Sequence, residues 1–75
     1  MATYLQQQGV SKEDVSDLEQ AIREDPEPKS PQKFGSKVGA WIGKMVSKAA
    51  SGGWEVTVAT AGTLLAAAIS KFYGL

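Results

Sequence analysis

Gly35-Ser-Lys-Val-Gly-Ala-Trp-Ile-Gly-Lys-Met-Val-Ser-Lys-Ala-Ala-Ser51 places a small side chain at every fourth position: Gly35, Gly39, Gly43, Ser47 and Ser51. Residues four apart stack along one side of a helix, so the ladder draws a smooth groove that another backbone can approach closely. Stepped at about 100° per residue, the stretch separates into three contiguous sectors. Val38, Trp41, Ile42, Met45, Val46 and Ala49 share an apolar arc, and Gly39, Gly43, Ser47 and Ala50 lie beside it, with Ala40 at the far edge. Lys37, Lys44 and Lys48 close the circle as one basic stripe. The pattern predicts a helix from about Ser36 to Ser51. Glycine inside a helix costs about 0.5–1 kcal/mol relative to alanine. Its repetition points to a compensating gain from close packing.

Downstream, Gly52-Gly53 reads as a turn, the alternative being a close crossing inside one longer helix. A second helix is expected from Trp54 to Tyr73, ended by Gly74. Trp54, Val58, Ala61, Leu65, Ala68 and Phe72 follow a 4-3-4-3-4 heptad spacing, widened by Ile69. Ala59, Gly62, Ala66 and Ser70 form a second small-residue edge. The β-branched run Val56-Thr-Val58, with Thr60 and Thr63, leaves a strand alternative near the start. The two helices read as an antiparallel hairpin whose axes approach more closely than the usual 8–10 Å.

Upstream, residues 2–8 fit a short helix ending at Gly9. Ser11 sits at an N-cap position with Asp14 three residues on, and Val10 and Val15 occupy the staple positions around it. Val15, Leu18 and Ile22 then mark an apolar stripe with Ala21 beside it, predicting a helix over 12–24 that stops before Pro26. Pro26, Pro28 and Pro31, set among charged and small polar residues, give 25–33 the composition of an extended linker. The acidic helix is therefore expected to be a separate arm, docking on its own chain or on a neighbour.

Composition narrows the function. At 75 residues a single core is marginal and needs help from disulfides, metal, partners or unusually good helix packing. Cysteine and histidine are both absent, which removes disulfides, thiolate chemistry, the common zinc sets and the usual general base. Formal net charge is zero, but its distribution is uneven. Glu13, Asp14, Asp17, Glu19, Glu24, Asp25 and Glu27 crowd the first part, whereas after residue 33 Glu55 stands alone against Lys37, Lys44, Lys48 and Lys71. Head and tail could attract each other, or both could be solvated faces. The start lacks a cationic patch followed by an apolar run, so no secretory signal and a cytoplasmic location are expected.

Residues 56–70 carry no charge on any side, roughly 22 Å of helix at ~1.5 Å per residue. Such a helix is usually buried all round, so its Val56, Thr60, Leu64, Ala67 side calls for cover. Sister chains could supply it, with the outer face as a subunit interface. A bilayer could supply it instead, with the lysine stripe and Trp41 at the headgroups, although spanning needs about 20 mostly apolar residues. A third reading is that threonine suffices to solvate that face. Other motifs do not develop. Gly35-Ser-Lys-Val-Gly completes no phosphate loop, and three lysines in a neutral chain are a weak nucleic-acid footprint. Glu13, Asp14 and Asp17 lack the spacing and glycine of a calcium loop. Trp41 and Trp54 lie on apolar sectors and read as core anchors rather than ligand-stacking platforms.

The stretch Phe34-Gly-Ser-Lys-Val-Gly-Ala-Trp-Ile-Gly-Lys-Met-Val-Ser-Lys-Ala-Ala-Ser-Gly-Gly-Trp54, with Ala61-Gly-Thr-Leu-Leu65 and Lys71-Phe-Tyr-Gly-Leu75, resembles the C-terminal tail of bacterial abortive-infection proteins of the AbiTii type. Gln8-Gly-Val-Ser-Lys-Glu-Asp-Val15 resembles the helix entry upstream of that tail. The likeness covers most of the chain and brings no catalytic motif; the larger N-terminal domain of such proteins has no counterpart in these residues. It implies a phage-defence context in which this piece serves assembly or membrane engagement. A looser likeness to helical bacteriocins rests on Ser51-Gly-Gly-Trp54 and the Val/Thr/Ala-rich helix after it. The acidic arm and neutral charge speak against that second likeness.

The expectation is thus an all-α chain: an N-terminal helical arm (1–24), a proline-rich linker (25–33) and a closely packed hairpin (34–75) that forms homo-oligomers. Self-association is assigned to Gly39, Gly43, Ser47, Trp41, Trp54, Val58, Ala61 and Leu65. Lys37, Lys44 and Lys48 are the candidates for contact with an anionic membrane surface. No catalytic residue, cofactor, metal, nucleic acid or small-molecule substrate is expected.

Overall fold

Four helices and no strand make up the described residues, 1–29 and 33–75, of the computed structural model. They are α1 (Ala2–Gln7), α2 (Lys12–Glu24), α3 (Ser36–Ser51) and α4 (Val58–Phe72). The all-α reading of the sequence therefore holds. Pro31, placed in the linker, lies outside the described residues, while Pro26 and Pro28 fall in the non-helical stretch after α2.

Local chemistry sets the element ends. Ser11 caps α2, its hydroxyl accepting the Asp14 N–H at 3.1 Å, which satisfies one of the orphan donors of the first turn. α3 ends at Gly52, which holds a left-handed backbone with φ 86° that a side chain would strain. Gly53 N–H then donates to the Lys48 carbonyl at 2.8 Å and closes the turn. The glycine pair is thus a turn between two helices rather than a crossing within one.

The start of α3 is unusual. Gly35 is its N-cap and has no side chain to offer. Asp25, at the end of α2, does the work instead: its Oδ1 accepts the Lys37 N–H at 3.2 Å and its Oδ2 the Val38 N–H at 2.7 Å. The carboxylate sits so close that a Cβ on Gly35 would lie 2.5 Å from the Asp25 Cγ. Glycine is required here by the approach of another residue.

The core runs through all four helices. Leu5, Val15, Leu18, Val38, Met45, Ala61, Leu65 and Ile69 are almost wholly buried in one cluster with Trp41 and Trp54. α3 is the central element, packing on α2 on one side and on α4 on the other, while α1 packs on α2. The acidic helix is docked on its own chain, and the picture of two independently solvated charged faces does not apply.

Three further expectations are corrected. Residues 54–57 are not helical, because Thr57 caps α4 with its hydroxyl accepting the Thr60 N–H at 3.2 Å, and Trp54 turns away to donate its indole N–H to the Gln8 carbonyl at 2.8 Å. The heptad seam consequently loses its ends: Val58 is 48% and Phe72 54% exposed, and Ile69 joins Ala61 and Leu65 as fully buried. Finally, Gly39 and Gly43 are not packed against the backbone of α4. A Cβ placed on Gly39 or Gly43 would meet nothing within 4 Å.

Candidate functional site

Three surfaces stand out once the core is accounted for, the third a cleft of about 430 Å³ lined by Met1, Tyr4, Ala67, Ala68, Lys71 and Phe72. The first is the seam between α2 and α3, where the lysine stripe of α3 meets the acids of α2. Lys48 Nζ lies 2.5 Å from Asp14 Oδ2, and Lys44 Nζ lies 3.1 Å from both Asp14 Oδ1 and Asp17 Oδ2. Lys37 pairs with Glu24 at the far end. Periodicity explains the match: Lys37, Lys44 and Lys48 share one edge of α3, and Asp14, Asp17 and Glu24 recur along one edge of α2.

Asp14 is the deepest member, 5% exposed. Burial alone would raise its pKa, but hydrogen bonds from Lys48 and Lys44 and the contact with Ser11 outweigh that and hold it below the ordinary value. Its partner Lys44 is pushed up, chiefly by Asp17 and then by Asp14. Glu24 is lowered and Lys37 raised by their mutual contact. The Asp14 backbone is used as well, its carbonyl accepting the Trp41 indole N–H at 2.8 Å. No buried side-chain nitrogen or oxygen among the described residues is left without a partner.

The second surface is a groove of about 510 Å³ between α3 and α4, lined by Phe34, Gly39, Ile42, Ala59, Gly62, Thr63 and Ala66. Its floor is made of small residues from both helices. Gly39, Gly43 and Gly62 all have open space where a Cβ would project. The outward side of α4 continues it, with Thr60, Thr63 and Ala67 exposed.

The expected self-association set divides in two. Gly39, Gly43, Ser47 and Val58 are exposed and available to a partner. Trp41, Trp54, Ala61 and Leu65 are buried within the single chain, where they build its own core. The lysines expected at an anionic surface, Lys37, Lys44 and Lys48, are all engaged by α2 carboxylates. Sequence reasoning missed Asp25, whose capping of a helix ten residues on has no local signature. The sequence sets the small-residue edges of both helices together inside the hairpin contact, whereas the structure places Gly39, Ala59, Gly62 and Ala66 around an open groove. Ile42, a member of the apolar arc, borders the groove.

Among the described residues, no group of acids could hold a metal ion, and no helix is long and apolar enough to cross a membrane. Comparison with protein-family models, with curated proteins and with solved structures finds no match to this chain.

Proposed function

We propose that this chain is a non-enzymatic helix-packing module that self-associates through the small-residue groove of α3 and α4. One observation carries the reading. The glycines divide by what the fold asks of them: Gly35 is demanded by the Asp25 carboxylate and Gly52 by its left-handed backbone, whereas Gly39, Gly43 and Gly62 sit in helix interiors with nothing above them. Each of these three weakens its helix by roughly 0.5–1 kcal/mol relative to alanine. Close approach of a second chain gives that cost a purpose, since small residues let backbones come near. The uncharged outer side of α4 supports the same reading.

The resemblance to AbiTii-type tails supports placing such a module in a bacterial phage-defence protein, where it would hold copies together. The membrane alternative draws less support, because the lysine stripe it would use is neutralised within the chain.

The test is the mass in detergent-free buffer, by light scattering after size exclusion, for the natural chain and for Gly39→Leu. The expected result is a discrete oligomer that the leucine, filling the groove, converts to a folded monomer. A natural chain that is monomeric at all concentrations overturns the proposal, as does a Gly39→Leu chain with unchanged mass.

A further inference from the structure

α1 rests on α2, and α4 rests on α3. Between these two outer helices lies the cleft of about 430 Å³ lined by Met1, Tyr4, Ala67, Ala68, Lys71 and Phe72, a volume inside the range of about 300–1,000 Å³ usual for small-ligand sites. Its lining also has the make-up of such sites, an apolar wall with very few polar groups. Tyr4 is 45% and Phe72 54% exposed, so two of the four large apolar side chains that the fold leaves in water belong to this one opening. Apolar residues scattered over a surface need no explanation, whereas their concentration in a concavity does. Phe72 is held edge to face by Tyr73, with ring centroids 5.5 Å apart, while Ala67 and Ala68 contribute only methyl groups and leave the space open.

Lys71 is the one charged side chain of the lining. Among the cations of α3 and α4 it alone has no carboxylate partner among the described residues, since Lys37, Lys44 and Lys48 are taken by α2. A lysine in the last turn offsets the negative end of the helix dipole, which accounts for the charge but not for the apolar cleft beside it. We infer that this cleft binds a small hydrophobic carboxylate, its apolar body against Tyr4, Ala67, Ala68 and Phe72 and its carboxylate on the Lys71 ammonium. Volume limits the occupant to small-molecule size, and the lining selects a hydrocarbon body. The unpaired ammonium supplies a charge-assisted hydrogen bond to an anion, and one lysine balances one negative charge. The cleft shares no residue with the α3–α4 groove, and the inference does not depend on self-association.

The test is titration of the isotope-labelled chain with octanoate, followed by amide NMR, with octanol as the uncharged probe of equal chain length. Saturable shifts are expected at Tyr4, Ala67, Ala68, Lys71 and Phe72, with Gly39 and Gly62 unmoved. Lys71→Met, which keeps an apolar stem without the charge, should weaken octanoate binding about three- to fivefold and leave octanol binding unchanged. Ala67→Leu, at a position exposed in the fold, should abolish the binding of both by filling the cleft. Equal affinity of octanoate for the natural chain and for Lys71→Met would overturn the carboxylate assignment. Shifts that fail to saturate, that centre on Gly39 and Gly62, or that survive Ala67→Leu would overturn the site itself. Binding to anionic vesicles without any response to octanoate would overturn it too, assigning this face to a lipid surface. A chain that is monomeric yet takes up octanoate as described would support the cleft while overturning self-association.

Discussion

Asp25 serves two elements, ending α2 and supplying the cap that Gly35 cannot give to α3. Replacing a capping carboxylate by alanine costs about 0.5–2 kcal/mol. Asp25→Ala is expected to lose roughly that amount in urea denaturation, while Gly35→Ala, which forces a Cβ onto the Asp25 carboxylate, should be destabilising in the natural background. In an Asp25→Ala background the Gly35→Ala loss should shrink, because the contacts with the carboxylate Cγ and Oδ2 at 2.5 and 2.6 Å are gone and only the Cβ of residue 25, at 2.8 Å, is left to give way; additive losses would show that the two positions do not interact. Asp14 carries a second consequence. Its pKa is held below the ordinary 3.8, so its contribution is complete above that value and disappears as the pH falls through the lowered one. Stability should therefore drop below about pH 4. Asp14→Asn should cost on the order of 1 kcal/mol at neutral pH, the half-exposed lysines screening the rest, and should flatten that acid limb. An acid limb of unchanged steepness would assign it to other carboxylates.

At the scale of elements, the proposed association and the folding of the single chain make opposite demands on Gly39 and Gly43. Nothing in the chain touches the space above them, so Gly39→Ala and Gly43→Ala should each raise the stability of the single chain by about 0.5–1 kcal/mol, read by chemical denaturation at low concentration. A loss of stability would mean that these positions already pack within the chain. Most of the helix pattern was legible in sequence. α2 begins where Ser11 caps it and ends before Pro26, and the three sectors over residues 36–51 could belong only to a helix. The start of α4 was misplaced because the heptad spacing from Trp54 outweighed a quieter signal, the Thr57–Thr60 pair that forms its cap. Side-chain periodicity also misassigned the glycines. It identifies which residues share a face, but not which of two neighbouring faces meets the next helix. In α3 that choice falls to Val38, Trp41 and Met45, whose greater volume wins the core.

Across the whole molecule, two tryptophans tie the later half to the earlier one. Trp41 donates to the carbonyl of Asp14 and Trp54 to that of Gln8, each at 2.8 Å. Both side chains are buried, so truncation to alanine should cost about 3–5 kcal/mol, enough to unfold much of a domain this small. Phenylalanine at either position keeps most of the apolar area but removes the indole N–H. Trp54→Phe should fall short of that loss, at about 1–2 kcal/mol, as measured by thermal unfolding; a neutral result would mean that the bond to Gln8 contributes nothing. Packing of this kind is not visible in sequence, since residues 8 and 54 are related by no periodicity. These ties also bear on the order in which the chain can become a structure during synthesis. α1 and α2 are made before α3 and α4, yet the indoles that fasten them and the Ala61, Leu65 and Ile69 side chains that complete the core come from those later elements. Until α4 has emerged, α1 and α2 lack the side chains that close their interior, so the contacts that bury them are long-range ones and form late.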